Sequence, residues 1–335
     1  MPELRRDPTT DKWVIIATER AARPNDFKQE EEPAAGSANC PFCEGNEAKT
    51  PPEITSVRKD GSLPNGPGWE VRVIPNKFPA LKIEGEENRH GNGVYDEMNG
   101  IGAHEIIIES PNHSDSLETL PIEHIGKIIW IFKERLLDLR KDSRLRYILV
   151  FKNKGKRAGA SLEHSHSQLI ATPVLPDLVK NELNVASRYY GFKERCVYCD
   201  IIDQEKYEDK RVILENDLFI AITPFASIVP FEVMILPKEH CSDFGQIKLS
   251  SVNSLAEILQ NSLRLINKVV PNVAYNFYIH TSPLDDLMLP HYHWHIEILP
   301  RLTHTAGFEW GSGLYINPMP PEQAAAFLKE AKEVK

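Results

Sequence analysis

The chain has 335 residues, enough for two ordinary domains or one duplicated unit. Its 39 basic and 48 acidic residues give a net charge of −9, which excludes a global field drawing it to nucleic acid or anionic lipid. With 41 % apolar and 26 % charged residues it has the composition of a soluble globular protein, and no membrane partner is expected.

The amino terminus, Met1-Pro-Glu-Leu-Arg-Arg-Asp7, has no apolar stretch behind its charges, so it reads as neither a secretory signal nor a transit peptide, and a cytoplasmic location is expected. Cys40-Pro-Phe-Cys43 follows, a pair that suits either zinc or a redox dithiol. Gly36–Asn39 before it and Gly45-Asn46 after it favour a zinc knuckle. The Gly/Asn-rich stretches 61–68 and 84–100 read as loops. A strand is expected over Glu105–Glu109, then Pro111 and His113, then an amphipathic helix from about Ile122 to Lys141 with Ile125, Ile128, Ile129, Phe132 and Leu136 on one side. The apolar segment 128–132 is far too short to span a bilayer. Strands follow over Tyr147–Phe151 and Ser167–Thr172, the second preceded by His164-Ser-His166. Pro173–Asp177 and the polar stretch after it read as the link between halves.

The pattern then recurs. Cys196-Val-Tyr-Cys199 is followed by a strand at Phe231–Leu236, Pro237, His240, a helix over Ser250–Val269, and strands at Tyr275–His280 and His293–Leu299, the last overlapping His291-Tyr-His293-Trp-His295. His113 and His164 are 51 residues apart, and so are His240 and His291. Each half is therefore expected to be an α+β unit, a mostly antiparallel sheet with a long helix, in domains 1–176 and 177–335.

Tetrahedral zinc takes about four Cys, His or carboxylate ligands. The first half offers Cys40, Cys43, His113 and His164, and the second Cys196, Cys199, His240 and His291. Cysteines acting without the lone histidines are the simpler alternative, and Cys241 is left over as a small buried residue or a spare ligand.

One histidine of His164-Ser-His166-Ser-Gln168 is then free for chemistry. A neutral imidazole with one nitrogen held by an acceptor is a nucleophile, and attack on phosphorus splits one hard transfer into two easier steps. Gly159, Ala160 and Ser161 let backbone amides and a hydroxyl approach phosphate oxygens, and Gln168 can donate an amide hydrogen to a phosphoryl oxygen without acting as a base. His166 is the expected nucleophile, assisted by Gln168.

The H-x-H-x-Q motif resembles that of the galactose-1-phosphate uridylyltransferases, a branch of the histidine-triad superfamily. The likeness runs through Arg5-Arg-Asp-Pro8, Arg20-Ala-Ala-Arg23-Pro24, Cys40-Pro-Phe-Cys43, Asn76-Lys-Phe-Pro79, Ser110-Pro-Asn-His113, Asn153 and Phe308-Glu309. It implies two tandem histidine-triad-like domains, the second giving scaffold, dimer surface and sugar contacts. It also implies ping-pong uridylyl transfer from UDP-glucose to galactose-1-phosphate through uridylyl-His166, and a homodimer acting on nucleotide sugars and sugar-1-phosphates in galactose metabolism. By position Asn153, Gly159, Ser161 and Gln168 would line the phosphates, Asn76 and Phe78 the nucleoside, Arg20 and Arg23 the second phosphate, and Glu309 the sugar. Zinc is implied at one site and, through the second Cys pair, at two. Iron at Glu182, His280, His293 and His295 is a competing second metal set.

Three departures stand out. Serines replace the Pro and Gly of the family's H-P-H-G-Q, Asn76-Lys77 replaces Asn-Asp, and the carboxy-terminal segment 307–317 is Gly-rich. These features also resemble ADP-glucose phosphorylase, which would make an adenylyl-histidine and pass AMP to phosphate. A zinc-stapled nucleotide-binding protein without turnover, or a hydrolase, are further alternatives. A hydrolase would carry histidine at 168, and a binder has no need of the complete motif. The second half is expected to be inactive, with His293 at the place of His166 and His295 at that of Gln168.

Overall fold

A computed structural model describes residues 1–18, 27 and 39–333. Its first half contains β1 (Glu3–Arg6), β2 (Trp13–Ile16), β3 (Thr55–Arg58), β4 (Trp69–Pro75), a small hairpin of β5 (His90–Asn92) and β6 (Tyr95–Glu97), β7 (Ala103–Ile108), α1 (Ile122–Leu139), β8 (Tyr147–Lys154) and β9 (His166–Thr172). Next come α2 (Asp177–Lys193), α3 (Val197–Glu208), β10 (Val212–Glu215), β11 (Phe219–Ile222), β12 (Val233–Pro237), α4 (Leu249–Val269), β13 (Tyr275–His280), β14 (His295–Pro300), α5 (Gly307–Ser312), β15 (Tyr315–Asn317) and α6 (Pro321–Glu333).

Ten strands form one sheet in the order β10-β11-β12-β14-β13-β8-β9-β7-β4-β3, every neighbouring pair antiparallel. Read from its centre outward, the order is the same on both sides. In the first half it runs β8, β9, β7, β4, β3, and in the second β13, β14, β12, β11, β10. The expected duplication is thus present as α+β units sharing a single sheet, joined where β8 pairs with β13. Two expectations are corrected here. The polar stretch after Pro176 is the helix α2 rather than a link, and the loop over 84–100 holds the β5–β6 hairpin.

Helices α1 and α4 pack together over one face of the sheet. Their apolar stripes, Ile125, Ile128, Ile129, Phe132 and Leu136 on α1 and Leu255, Leu259, Leu263 and Ile266 on α4, meet Val73, Ile107, Val150, Leu169, Ile235, Phe277 and Ile298 of the strands in one core. At the helix crossing, a Cβ on Gly126 would lie 2.6 Å from Asn253 Oδ1 and 3.3 Å from Val252 Cγ1. Overpacking of this kind costs about 1–3 kcal/mol, against about 1 kcal/mol returned by alanine's helix propensity. Gly126→Ala is accordingly expected to lower the urea midpoint with an unchanged m-value, and a raised midpoint would show the crossing to be looser than its geometry.

Candidate active site

Alternation divides β9 between two faces. Leu169 and Ala171 enter the core beneath the helices, so His166 and Gln168 face the opposite side. There they line a cavity of about 640 Å³ with Phe42, Ile74, Asn76, Phe78, Ile106 and Ser161. Phe78 is 83 % exposed, an apolar ring at a polar mouth, which suits stacking on a planar ligand.

His166 is buried, and its Nδ1 lies 2.8 Å from the carbonyl oxygen of His164. A carbonyl only accepts, so Nδ1 carries the proton and Nε2 keeps its lone pair. Burial pushes the imidazole below its ordinary pKa, with the His164 carbonyl opposing, so the ring is neutral at pH 7. The Phe42 ring packs edge-on against it, with centroids 5.3 Å apart.

On the core side, the two serines of the motif find their partner. Ser165 and Ser167 each donate a 2.5 Å hydrogen bond to Glu109, and Lys152 Nζ lies 2.6 Å from the same carboxylate. Lys152 also donates to Ser165 Oγ (3.0 Å) and to the carbonyl of His166 (3.1 Å). Burial alone would raise the pKa of Glu109, but Lys152 and the serine hydroxyls hold it below the usual carboxylate range. An ionised pair is thus locked behind the nucleophile strand. Breaking a buried pair by removing one partner costs about 3–5 kcal/mol. Glu109→Ala is expected to lose that much in chemical denaturation, and a loss below about 1 kcal/mol would mean that Lys152 finds water or another partner.

Cys40, Cys43, His113 and His164 offer ligand atoms that all lie within 4.8 Å of one another. Cys43 Sγ is 3.5 Å from Nδ1 of both histidines, and Cys40 Sγ is 3.6 Å from His164 Nδ1. His164 Nε2 bonds the carbonyl of Ser110 at 2.7 Å, which leaves Nδ1 turned to the sulfurs. Burial pushes the His164 pKa down to about 4, keeping it neutral, as a metal ligand must be. Two sulfurs and two imidazole nitrogens at this spacing fit tetrahedral zinc.

The second group is Cys196, Cys199, His240 and His293, not His291. His293 Nδ1 lies 3.7 Å from Cys199 Sγ and its Nε2 bonds the carbonyl of Pro237, the relation that His164 has to Cys43 and Ser110. His291 instead presents its backbone carbonyl to Cys196 Sγ at 3.5 Å. The matched positions are therefore His164 with His293, His166 with His295, and Gln168 with Glu297; the spacing of 51 residues misplaces each second-half partner by two. The nitrogen of His295 equivalent to the free Nε2 of His166 lies 3.3 Å from Glu297, and its ring stacks on Tyr198. A third group, Glu182, His280, His295 and Glu297, also brings its ligand atoms within 4.8 Å, so the set anticipated for iron contains Glu297 in place of His293.

The other anticipated residues distribute as follows. Asn76, Phe78 and Ser161 line the main cavity. Asn153 lines a smaller recess of about 50 Å³ that shares Leu162 and His166 with it, and Gly159, at φ +85°, lies beside Asn153. Arg20 and Arg23 lie outside the described residues. Glu309 sits in α5 with its carboxylate on the Ala306 amide, and is not among the residues lining either recess. Sequence reasoning missed Phe42, Glu109, Lys152 and His104. Only the charges at the ends of strand-like runs hinted at Glu109 and Lys152, whose pairing depends on strand register.

Residues 1–176 match the model of the galactose-1-phosphate uridyl transferase amino-terminal domain, just over half of the chain. The chain belongs to the galactose-1-phosphate uridylyltransferase family. Residues 105–333 also match DUF4921, a domain of unknown function. An ADP-glucose phosphorylase from Arabidopsis thaliana is 38 % identical, over 98 % of this chain and 93 % of its own. Its crystal structure with bound ADP-glucose superposes with a TM-score of 0.84, covering 98 % of this chain and 99 % of that one. A galactose-1-phosphate uridylyltransferase from Thermotoga maritima is 28 % identical over 99 % of both chains. A solved uridylyltransferase, 30 % identical, superposes at 0.77 over the full length of both. The family of nucleotidyltransferases is thus matched in sequence along nearly the whole chain and in fold. Among the described residues, no helix is long and apolar enough to cross a membrane.

Proposed function

We propose that the chain is a UDP-glucose:hexose-1-phosphate uridylyltransferase working by ping-pong chemistry through His166. The observation that carries this is the lone pair of His166 Nε2, held neutral on the wall of the cavity two residues before Gln168. Nε2 attacks the α-phosphorus of the nucleotide sugar. The bond from that phosphorus to the bridging oxygen breaks, and the hexose-1-phosphate leaves with the electron pair. The growing positive charge on the ring is held by the Nδ1–H bond to the His164 carbonyl, so no proton need leave the ring. Gln168 and the Ser161 hydroxyl donate to the phosphoryl oxygens, and Phe78 and Asn76 take the nucleoside. A phosphate oxygen of galactose-1-phosphate then attacks that phosphorus from the vacated side, the N–P bond breaks, and its electron pair returns to His166 Nε2.

A second reading, adenylyl transfer from ADP-glucose to phosphate through adenylyl-His166, is favoured by the 38 % identity to an ADP-glucose phosphorylase. Both use the same nucleophile and differ in base and acceptor. Zinc held by Cys40, Cys43, His113 and His164 would tie the 40–43 segment to the base of β9, and a second zinc would be held by Cys196, Cys199, His240 and His293. The division into domains 1–176 and 177–335, a cytoplasmic location and a homodimer complete the proposal. In that dimer Arg20, Arg23 and Glu309 would contact substrate. The second half serves as scaffold, because Glu297 occupies the nitrogen through which His295 would have to attack.

Intact-mass measurement after separate incubation with UDP-glucose and ADP-glucose tests this. A UMP adduct discharged by galactose-1-phosphate supports the first reading and an AMP adduct discharged by phosphate the second. No adduct from either, on folded and metal-loaded protein, removes the covalent mechanism.

A further inference from the structure

His104 stands on the open face of β7, two residues before Ile106, the register partner of Gln168. Its two ring nitrogens join Gln168 on the cavity wall to the chain just beyond Phe78. Nδ1 lies 3.1 Å from the backbone nitrogen of Ala80, and Nε2 lies 2.9 Å from Gln168 Oε1. We propose that His104 is a positioning residue: it fixes the Gln168 amide with its NH₂ group toward the transferred phosphoryl group, and ties that orientation to the segment 76–80. This rests on the role given to Gln168 above.

The hydrogen positions follow from what can turn and what cannot. The Ala80 N–H belongs to the backbone and can only donate, so Nδ1 of His104 is the acceptor and carries no proton. The ring proton is therefore on Nε2, which has two polar neighbours. Asn76 Nδ2 lies 3.0 Å away, but Asn76 Oδ1 already accepts from the Phe78 amide at 2.9 Å, which sets that side chain with its nitrogen toward His104. A nitrogen donor cannot take the Nε2 proton, so Gln168 Oε1 takes it. With its oxygen engaged, Gln168 presents N–H bonds to the cavity that it shares with His166. Turned over, it would set a carbonyl dipole against the phosphoryl oxygens and its amide hydrogens against the Nε2 proton. Two donors misdirected at the reacting group lose most of their effect on a developing charge. The same ring braces Ala80, four residues beyond Asn76 and two beyond Phe78, so the nucleoside segment and the phosphoryl donor are set by one side chain.

The test measures the rate of His166 labelling by the nucleotide-sugar donor that labels the wild-type chain, at saturating donor and as a function of donor concentration. His104→Ala is expected to slow labelling at saturation by roughly 10- to 100-fold, the usual effect of losing a supporting contact to a catalytic group. His104→Gln, whose amide can accept from Ala80 and donate to Gln168, is expected to restore most of that rate. His104→Asn keeps the acceptor for Ala80 but is too short to reach Gln168, and is expected to resemble alanine. In a Gln168→Ala background, His104→Ala is expected to add no further loss to the rate at saturating donor, because at saturation both act through one group. Losses that multiply in the double variant, His104→Ala at the wild-type rate, or His104→Gln as slow as alanine at an unchanged melting temperature would each overturn the inference. If His104→Ala does not fold, the asparagine and glutamine variants decide it by the same comparison. A wild-type chain that takes no label would instead overturn the covalent mechanism, and this inference with it.

Discussion

His166→Gly is expected to abolish the nucleotidyl adduct and to lower turnover by about 10⁴-fold or more, the loss typical of removing a covalent nucleophile. The magnitude follows from the lack of a substitute. The other histidine of the motif, His164, has Nε2 on the Ser110 carbonyl and Nδ1 on the sulfurs, so both its nitrogens are engaged. Glycine leaves the fold largely intact because the Glu109–Lys152 pair bonds Ser165, Ser167 and a backbone carbonyl, not the imidazole. Intact mass and steady-state turnover are measured together on the variant. An adduct that persists would place the nucleophile elsewhere and sink the assignment, and a folded variant that turns over near-normally without an adduct would exclude a covalent intermediate on His166.

Loss of the first metal site is expected to lower both stability and labelling, by a different route. Cys43→Ser removes the sulfur that faces both His113 and His164. Structural zinc stabilises its fold by several kcal/mol, which for a chain of this size corresponds to a melting temperature lower by about 5–10 °C. Labelling is also expected to fall, by about 100-fold, because the ring freed by the metal is His164, whose carbonyl holds the His166 proton. Cys199→Ser is expected to lower stability while leaving most labelling, since its partners His240 and His293 lie in the other half. Metal analysis, melting and labelling on both variants check this. A Cys43→Ser chain that keeps its metal and its rate would show that the four residues do not act as one site.

Much of the fold was legible because its signals are local. The stripe on α1 and the alternation of β9 depend on neighbours within a few residues, and the α1, α4 and β13 ranges match expectation closely. The site was legible only where chemistry is written in adjacent residues, as in His164-Ser-His166-Ser-Gln168. Counting between histidines put His291 in the metal set, whereas register put His293 there, because the segment between β13 and the His-x-His motif places the second-half partners two residues further along. The serines look like mere departures from the family motif until Glu109, just past β7, and Lys152, on β8, are brought beneath them. His104 carries no local signal at all. Its meaning comes from Ala80 and Gln168, which lie on opposite sides of it in sequence.

The seam between β8 and β13 has a consequence in time. Asn153 and its partner Asn276 are 123 residues apart in the chain. At about 5–20 residues per second of synthesis, β8 waits on the order of ten seconds before β13 exists to cover it. Throughout that interval the newly made first half carries an open strand edge one strand away from the nucleophile. An uncovered edge is a template for pairing with another chain, so this interval is when the first half is most exposed to misassembly with a neighbouring nascent chain.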